Sequence, residues 1–454
     1  MQYVSTRGAA PSLGFDDVLL EGLATDGGLY VPAEWPEFDL PVDGAYADVA
    51  ASVIRPFIAG SVLEEDLDAL VRRTYGRFRH PDVAPIRHLG DGHHLLELFW
   101  GPTLSFKDYA LQFVGVAFDT VLAARGGTVT ILGATSGDTG SAAIEALRDK
   151  TAVRVVILYP AGRVSDVQRR QMTTVSSPNV HAVAVEGTFD DCQSLVKEAF
   201  SRPHLRAEHR LAAVNSINWG RVMAQAVYYA WTWTRLGEPF DVAVPTGNFG
   251  NVLAAEVARR GGVPIERLVV GTNANHGLVD IIERGRVITS AVVPTIAPAM
   301  DIQLPSNFER YLFELVGRDG AAVGETMSLL RREGSLTLDE GAHARLRRRF
   351  SGHWYRDEEI EEAIARFHSD TGTIIDPHTA IGWLAGRAAR SDRLMVSVAT
   401  AHPAKFPDAI ERATGVVPPL PDDLADLGDR PERTRTVAAD IESVERLLME
   451  LPRS

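Results

Sequence analysis

From about residue 95 to 295, short runs of β-branched and aliphatic residues alternate with amphipathic helical stretches, and this rhythm restricts the fold more than any other feature. Residues 128–132 read as a strand ahead of a helix carrying Ala143, Ile144 and Leu147. Residues 153–158 and 181–185 read as further strands. Residues 241–244 precede a helix carrying Leu253 and Val257, and 268–270 follow as another strand. Strands separated by helices of this length indicate βαβ units and an α/β fold built on open, mostly parallel sheets. The pattern returns at 394–398, after a strand-poor, helix-rich stretch at 308–370 with the basic run Arg347, Arg348, Arg349 on an expected solvated face.

Residues 1 to about 85 differ: Gly- and Pro-rich loops surround two helical stretches near 45–58 and 63–76. A length of 454 residues accommodates two or three cores. The expected division is an amino-terminal domain at 1–88 and a catalytic region of two lobes at 89–454. Within that region the smaller lobe is expected at roughly 115–220 and a helical insertion at roughly 305–375. A net charge of −14 argues against nonspecific binding of nucleic acid or anionic membrane. The lone cysteine, Cys192, excludes an internal disulfide or a multi-cysteine metal site and is expected in the core. The first residues carry no apolar secretory core, and no apolar run reaches membrane-spanning length. A cytoplasmic enzyme is the expectation.

Only four lysines occur among forty-six basic residues, so few amines are available for imine chemistry. Lys197 points away from the face formed by Cys192, Leu195 and Val196, as a solvated lysine does. Lys150 is placed at the end of a helix over 142–149, where a cation offsets the dipole. Lys405 follows a strand, in a loop where it can contact an anion. Lys107 stands in Pro102-Thr103-Leu104-Ser105-Phe106-Lys107-Asp108. Ser105 and Asp108 have the spacing of a capping box before a helix over 109–124, which puts Lys107 in its first turn. The helix dipole and burial would both favour its neutral amine, whereas Asp108 would oppose them.

Two strand-to-helix turns have the composition of anion cradles. Gly247, Asn248, Phe249, Gly250 and Asn251 can wrap backbone amides around a phosphate at a helix start, or can form a tight turn and nothing more. Thr135, Ser136, Gly137, Asp138 and Thr139 repeat the architecture with hydroxyls suited to a carboxylate; the alternative is a helix cap at Asp138 or Thr139. Thr400 closes the strand at 394–398, where its hydroxyl can meet a pyridine nitrogen or bond neighbouring backbone.

Together these segments resemble threonine synthases of the long form, in the tryptophan synthase β-like group of pyridoxal phosphate enzymes. The resemblance extends to Tyr3-Val4-Ser5-Thr6-Arg7-Gly8, Asn215-Ser216-Ile217-Asn218-Trp219 and His402-Pro403-Ala404-Lys405-Phe406. It covers nearly the whole chain. Ala297 and Ala299 depart from it, standing where serines are usual. The resemblance implies two parallel-sheet lobes, pyridoxal 5'-phosphate, and conversion of O-phospho-L-homoserine and water to L-threonine and phosphate. It implies that Lys107 holds the cofactor through an imine, that residues 247–251 hold its phosphate, and that Thr400 and Asp138 meet its ring. Ser105, Thr135, Ser136, Thr139 and Arg163 are implied as substrate contacts, with Lys405 and Arg221 as further cations for the leaving phosphate. A monomer or homodimer is expected. A related phospholyase or dehydratase is the alternative activity. No metal site is expected, because His93 and His94 lack a zinc-binding pattern and read as residues of a surface turn.

Overall fold

In the computed structural model, which describes residues 1–452, two sheets carry the alternation. The larger runs in the order Phe350–Trp354, Ile265–Thr272, Phe240–Pro245, Leu394–Ala399, His93–Glu97 and Ile86–Gly90. All neighbouring strands are parallel except the last pair. The smaller sheet is parallel throughout: Arg435–Ala438, Val180–Glu186, Val153–Pro160, Val129–Ala134 and Leu211–Ala212. Every residue of Phe240–Pro245 and of Val153–Pro160 is buried. Helices cover both faces of such strands, which is why their sequences, Asp241 and Arg154 apart, read as apolar runs and not as alternation.

The amino-terminal residues are packed onto this frame. Tyr3–Ser5 pairs antiparallel with Tyr30–Pro32. Trp219 Nε1 donates to the Tyr3 hydroxyl at 3.1 Å, and Arg7 forms a two-point ion pair with Glu309. One cluster of buried apolar side chains extends from Tyr3 to Val398, so the amino-terminal segment shares its core with the larger sheet.

Three expectations change. Phe350–Trp354 lies within the stretch read as helical and forms an edge strand of the larger sheet. Its sequence, Phe-Ser-Gly-His-Trp, has no β-branched residue; register with Leu268 to Thr272 imposes the strand. Arg435–Ala438, read as tail, likewise adds an edge strand to the smaller sheet. His93 is not on a surface turn. It is buried in His93–Glu97, and its Nε2 lies 2.9 Å from Ser397 Oγ on the neighbouring strand. Burial pushes its imidazole down to about 4, so it is neutral near pH 7. Cys192 is fully buried, its thiol pushed up to about 11 by desolvation, and Lys197 is exposed, both as expected. Lys150 lies beyond the end of Asp138–Leu147 and pairs with Asp119 of another helix at 2.9 Å.

Candidate active site

The adjacent parallel strands Phe240–Pro245 and Leu394–Ala399 end side by side, one leading to the 246–249 turn and the other to Thr400. Crevices at the carboxyl ends of parallel strands are where α/β sheets receive ligands. The Lys107 segment is tied to the second of these ends. Phe106 donates its amide to the Thr400 carbonyl at 2.8 Å, and the His402 amide donates to Leu104 at 3.0 Å. Leu104 (φ 65°) and Phe249 (φ 64°) both take the left-handed backbone conformation. That conformation is costly for large side chains and clusters at sites the surrounding structure must hold. Phe249 is held by Phe308, Tyr311 and Phe350.

Lys107 opens the helix Lys107–Arg125, two residues earlier than expected, and no capping box forms. Asp108 turns back to accept from the Thr103 amide and hydroxyl, both at 2.7 Å; the Ser105 hydroxyl is buried without a partner. The carboxylate opposing Lys107 is therefore not its neighbour but Asp138, across the crevice on the smaller sheet's first helix. Lys107 Nζ lies 3.2 Å from Asp138 Oδ2. Lys405 Nζ lies 3.0 Å from Asp138 Oδ1 and also donates to the Thr103 carbonyl at 2.7 Å and Gln171 Oε1 at 2.9 Å. Gln168 Nε2 donates to Asp138 Oδ1 at 2.9 Å.

Two ammonium groups thus share one carboxylate in a buried place. Burial lowers the Lys107 amine's pKa; Asp138 pulls it up, and the charges of Lys405 and Arg221 push it down again. Burial alone would raise Asp138, but Lys405, Lys107 and the Gln168 amide hold it below the usual carboxylate range. Lys107 is thereby eased toward its neutral, nucleophilic form while Asp138 stays ionised. Arg221 adds a further buried cation. It donates to the Val214 carbonyl at 3.1 Å, its Nε has no partner, and desolvation pulls it down to about 10.

The 247–251 turn has the property an anion cradle needs. Among the described residues, none of the amides of Gly247, Asn248, Phe249, Gly250 and Asn251 donates to a protein acceptor, and they lead into the helix Gly250–Arg260. A Cβ on Gly247 would overlap the Ala299 carbonyl oxygen. Asn251 Oδ1 accepts from the Tyr228 and Tyr229 hydroxyls at 2.6 and 2.7 Å, leaving its Nδ2 buried and unpartnered. The helix Trp219–Leu236 joins cradle to lysine. It carries Tyr228 and Tyr229 to Asn251 and Arg221 into the field of Lys107, and Tyr228 meets Tyr109 edge-on at 5.8 Å.

At the second cradle, Thr135 Oγ1 accepts from the amides of Gly137 and Gly140 at 3.0 and 2.8 Å, so this hydroxyl caps the helix in place of Asp138 or Thr139. The Ser136 and Thr139 hydroxyls, and the amides of Ser136, Asp138 and Thr139, have no protein partner among the described residues. Thr400 is similar. Its amide donates to Thr379 Oγ1 at 3.1 Å and its carbonyl accepts from Phe106, while its hydroxyl makes no hydrogen bond among the described residues. Arg163 is exposed in the turn before Asp166–Thr173 and acts electrostatically on Asp191, so it is not gathered with Lys107. Gln168, Gln171 and the full burial of Lys405 escaped the sequence reading. The available signal was the capping box Ser165–Gln168, which fixes the helix that delivers both glutamines. Ala297 is buried in an apolar cluster, an environment that suits its departure from serine.

A phosphate, a carbonyl-bearing ring and an amino acid could all be served here: five free amides, a buried amine of lowered basicity, and unpartnered hydroxyls at Ser105 and Thr400. The donor set fits pyridoxal 5'-phosphate. Together with two parallel sheets, it defines a pyridoxal-phosphate-dependent enzyme of fold type II, and residues 94–347 match the family described as "Pyridoxal-phosphate dependent enzyme". The ends of the chain are more particular: residues 2–75 match "Threonine synthase N terminus" and 379–448 match "Threonine synthase, C-terminal". The threonine synthase of Pseudomonas aeruginosa is 47% identical, with 98% of this chain and 97% of that one aligned. The solved PLP-bound threonine synthase from Brucella melitensis superposes with a TM-score of 0.97 at 46% identity, covering 100% of both chains. The yeast threonine synthase structure gives a TM-score of 0.92 at 36% identity, covering 99% of this chain and 98% of that one. The chain belongs to the threonine synthase family.

Proposed function

We propose that this enzyme converts O-phospho-L-homoserine and water to L-threonine and phosphate, with pyridoxal 5'-phosphate held through Lys107. One observation carries the reading: threonine synthase regions match both ends of the chain, beyond the catalytic region common to the wider group. When bound, the cofactor supplies an electron sink for the pair released at the substrate Cα.

The chain's own groups have the following parts in this reading. Lys107, its basicity lowered by burial, takes a proton from Cα and moves protons at Cβ. Asp138 orients that amine and stays anionic under the joint hold of Lys405 and Gln168. The amides of 247–251 and Asn251 Nδ2 grip the cofactor's phosphate. The Thr400 hydroxyl meets the ring nitrogen without protonating it. Ser136, Thr139 and the free amides beside them bind the substrate carboxylate, with Thr135 bracing their loop and Ser105 lending its unpartnered hydroxyl. Arg221 is the buried cation with capacity left for an anion, because Lys405 is engaged by three acceptors. Arg163 reaches the substrate only if its turn closes inward. Loss of phosphate breaks the Cγ–O bond; water's oxygen then joins Cβ, a proton joins Cγ, and Cα regains the proton it gave up.

Gly247→Ala is expected to weaken cofactor binding by roughly tenfold or more, since the added carbon displaces the turn from the Ala299 carbonyl and misaims its amides. Titration of apoprotein with pyridoxal phosphate measures it; unchanged affinity contradicts the cradle. For the activity itself, purified holoenzyme given O-phospho-L-homoserine is expected to release threonine and phosphate in equal amounts. Release of a keto acid and ammonia in place of threonine would establish the phospholyase reading.

The unbroken core makes the division at 1–88 and 89–454 one of role, with the smaller sheet as the mobile lobe, in this proposal. No helix among the described residues is long and apolar enough to cross a membrane. A cytoplasmic location fits the single, buried cysteine, and a monomer or homodimer is the assembly proposed.

A further inference from the structure

The basic run at 347–349 is largely solvated, as expected, and it also borders an open cavity. Arg347 pairs with Glu283, whereas Arg348 and Arg349 line a cavity of about 480 Å³ behind the larger sheet. The cavity is bounded by the carboxyl end of Gly250–Arg260, by Tyr311 and Leu315 of Phe308–Leu315, and by the last turns of Glu340–Arg349. Five arginines line it against two glutamates.

The two glutamates are already engaged. Glu256, almost wholly buried, is held by Arg259 at 2.7 Å and Arg260 at 2.8 Å. Glu314 is held by Arg260 at 3.0 Å and Arg318 at 2.8 Å. No carboxylate lies within ion-pair distance of Arg345, Arg348 or Arg349 among the described residues. Among the described residues, Arg345 donates only to the Leu315 carbonyl, Arg349 only to the Glu266 carbonyl, and Arg348 to none. Three arginines with donors unused by the protein, Arg345 and Arg348 exposed and Arg349 half-buried, therefore line one open cavity in a chain whose net charge is −14. The Tyr311 hydroxyl makes no hydrogen bond among the described residues, and its ring is fixed against Phe350 at 4.8 Å. Guanidinium forks of this kind pair two-point with carboxylates and phosphates. The cavity exceeds what a single phosphate fills and falls in the range of small-molecule sites.

We propose that this cavity binds a small polyanion carrying two or three carboxylate or phosphate groups, at a site separate from the Lys107 crevice. Magnesium-free calorimetry on the holoenzyme, with citrate in one arm and inorganic triphosphate in the other, distinguishes the two sources. One site per chain is expected for at least one probe. In Arg345→Gln/Arg348→Gln that affinity is expected to fall roughly tenfold or more, the loss of one or two charge-assisted hydrogen bonds, with kcat and KM for the substrate unchanged. The single variant Arg348→Glu, at a side chain with no protein partner, repeats the test if the double variant folds poorly. No heat from either probe, or equal affinity in wild type and variants, overturns the proposal.

Discussion

Replacing Lys107 with alanine is expected to lower threonine formation by roughly a thousandfold or more, the scale of losing both a covalent tether and a proton-transfer group. The near-visible absorbance of the lysine-bound cofactor should vanish with it. No other amine can take over. Lys150 and Lys197 lie away from the crevice, one paired with Asp119 and the other exposed. Lys405 is nearest, but it is engaged by Asp138, the Thr103 carbonyl and Gln171. Steady-state turnover and an absorbance spectrum check this together. Retained activity with a retained band would remove Lys107 from the reaction.

The second large effect is expected at Asp138. Replacing it with leucine leaves Lys107 and Lys405 buried side by side with no carboxylate, and breaking a buried ion pair from one side costs roughly 3–5 kcal/mol. The loss should depend on pH in a definite direction. A lysine whose folded pKa is depressed below its unfolded value near 10.4 contributes full stability only above that value and loses it as pH falls through the folded pKa. Lys107 is already depressed, and removing Asp138 deletes the attraction that limits the depression. Urea unfolding of the apoprotein should therefore show Asp138→Leu strongly destabilised at pH 7 and partly restored by pH 9. A variant as stable as wild type at pH 7, or one that gains nothing with pH, contradicts the charge balance described.

Strands buried on both faces were legible because their sequences are apolar but for one residue each, Asp241 and Arg154. The readings at 241–244 and 153–158 fall within Phe240–Pro245 and Val153–Pro160 and needed no partner to be recognised. Edge strands were not legible. Phe350–Trp354 and Arg435–Ala438 owe their form to a neighbour's register, which local sequence does not carry. His93 was misread for the same reason: it enters a strand through register with Met395 and Gly90, and its imidazole then meets Ser397.

At the site, motif spacing singled out the lysine and both turns because each is a contiguous run, the lysine's at a helix start and the turns' at strand ends. What it missed joins distant segments. Asp108 was assigned the part of Asp138 because it is adjacent in sequence, whereas the fold turns it to Thr103. Lys405 looked like a loop cation, yet the antiparallel contact of Ser105 with Ala401 draws it into the interior beside Asp138. Charge balance in a buried cluster is a property of the tertiary fold, and only the elements that make it up were visible beforehand.

The most direct test is to reduce the cofactor-loaded enzyme with borohydride, digest it, and locate the phosphopyridoxyl mass among the peptides. With four lysines in the chain, the assignment is unambiguous. The label is expected on Lys107 alone. A label on Lys150, Lys197 or Lys405, or on no lysine at all, would contradict the account.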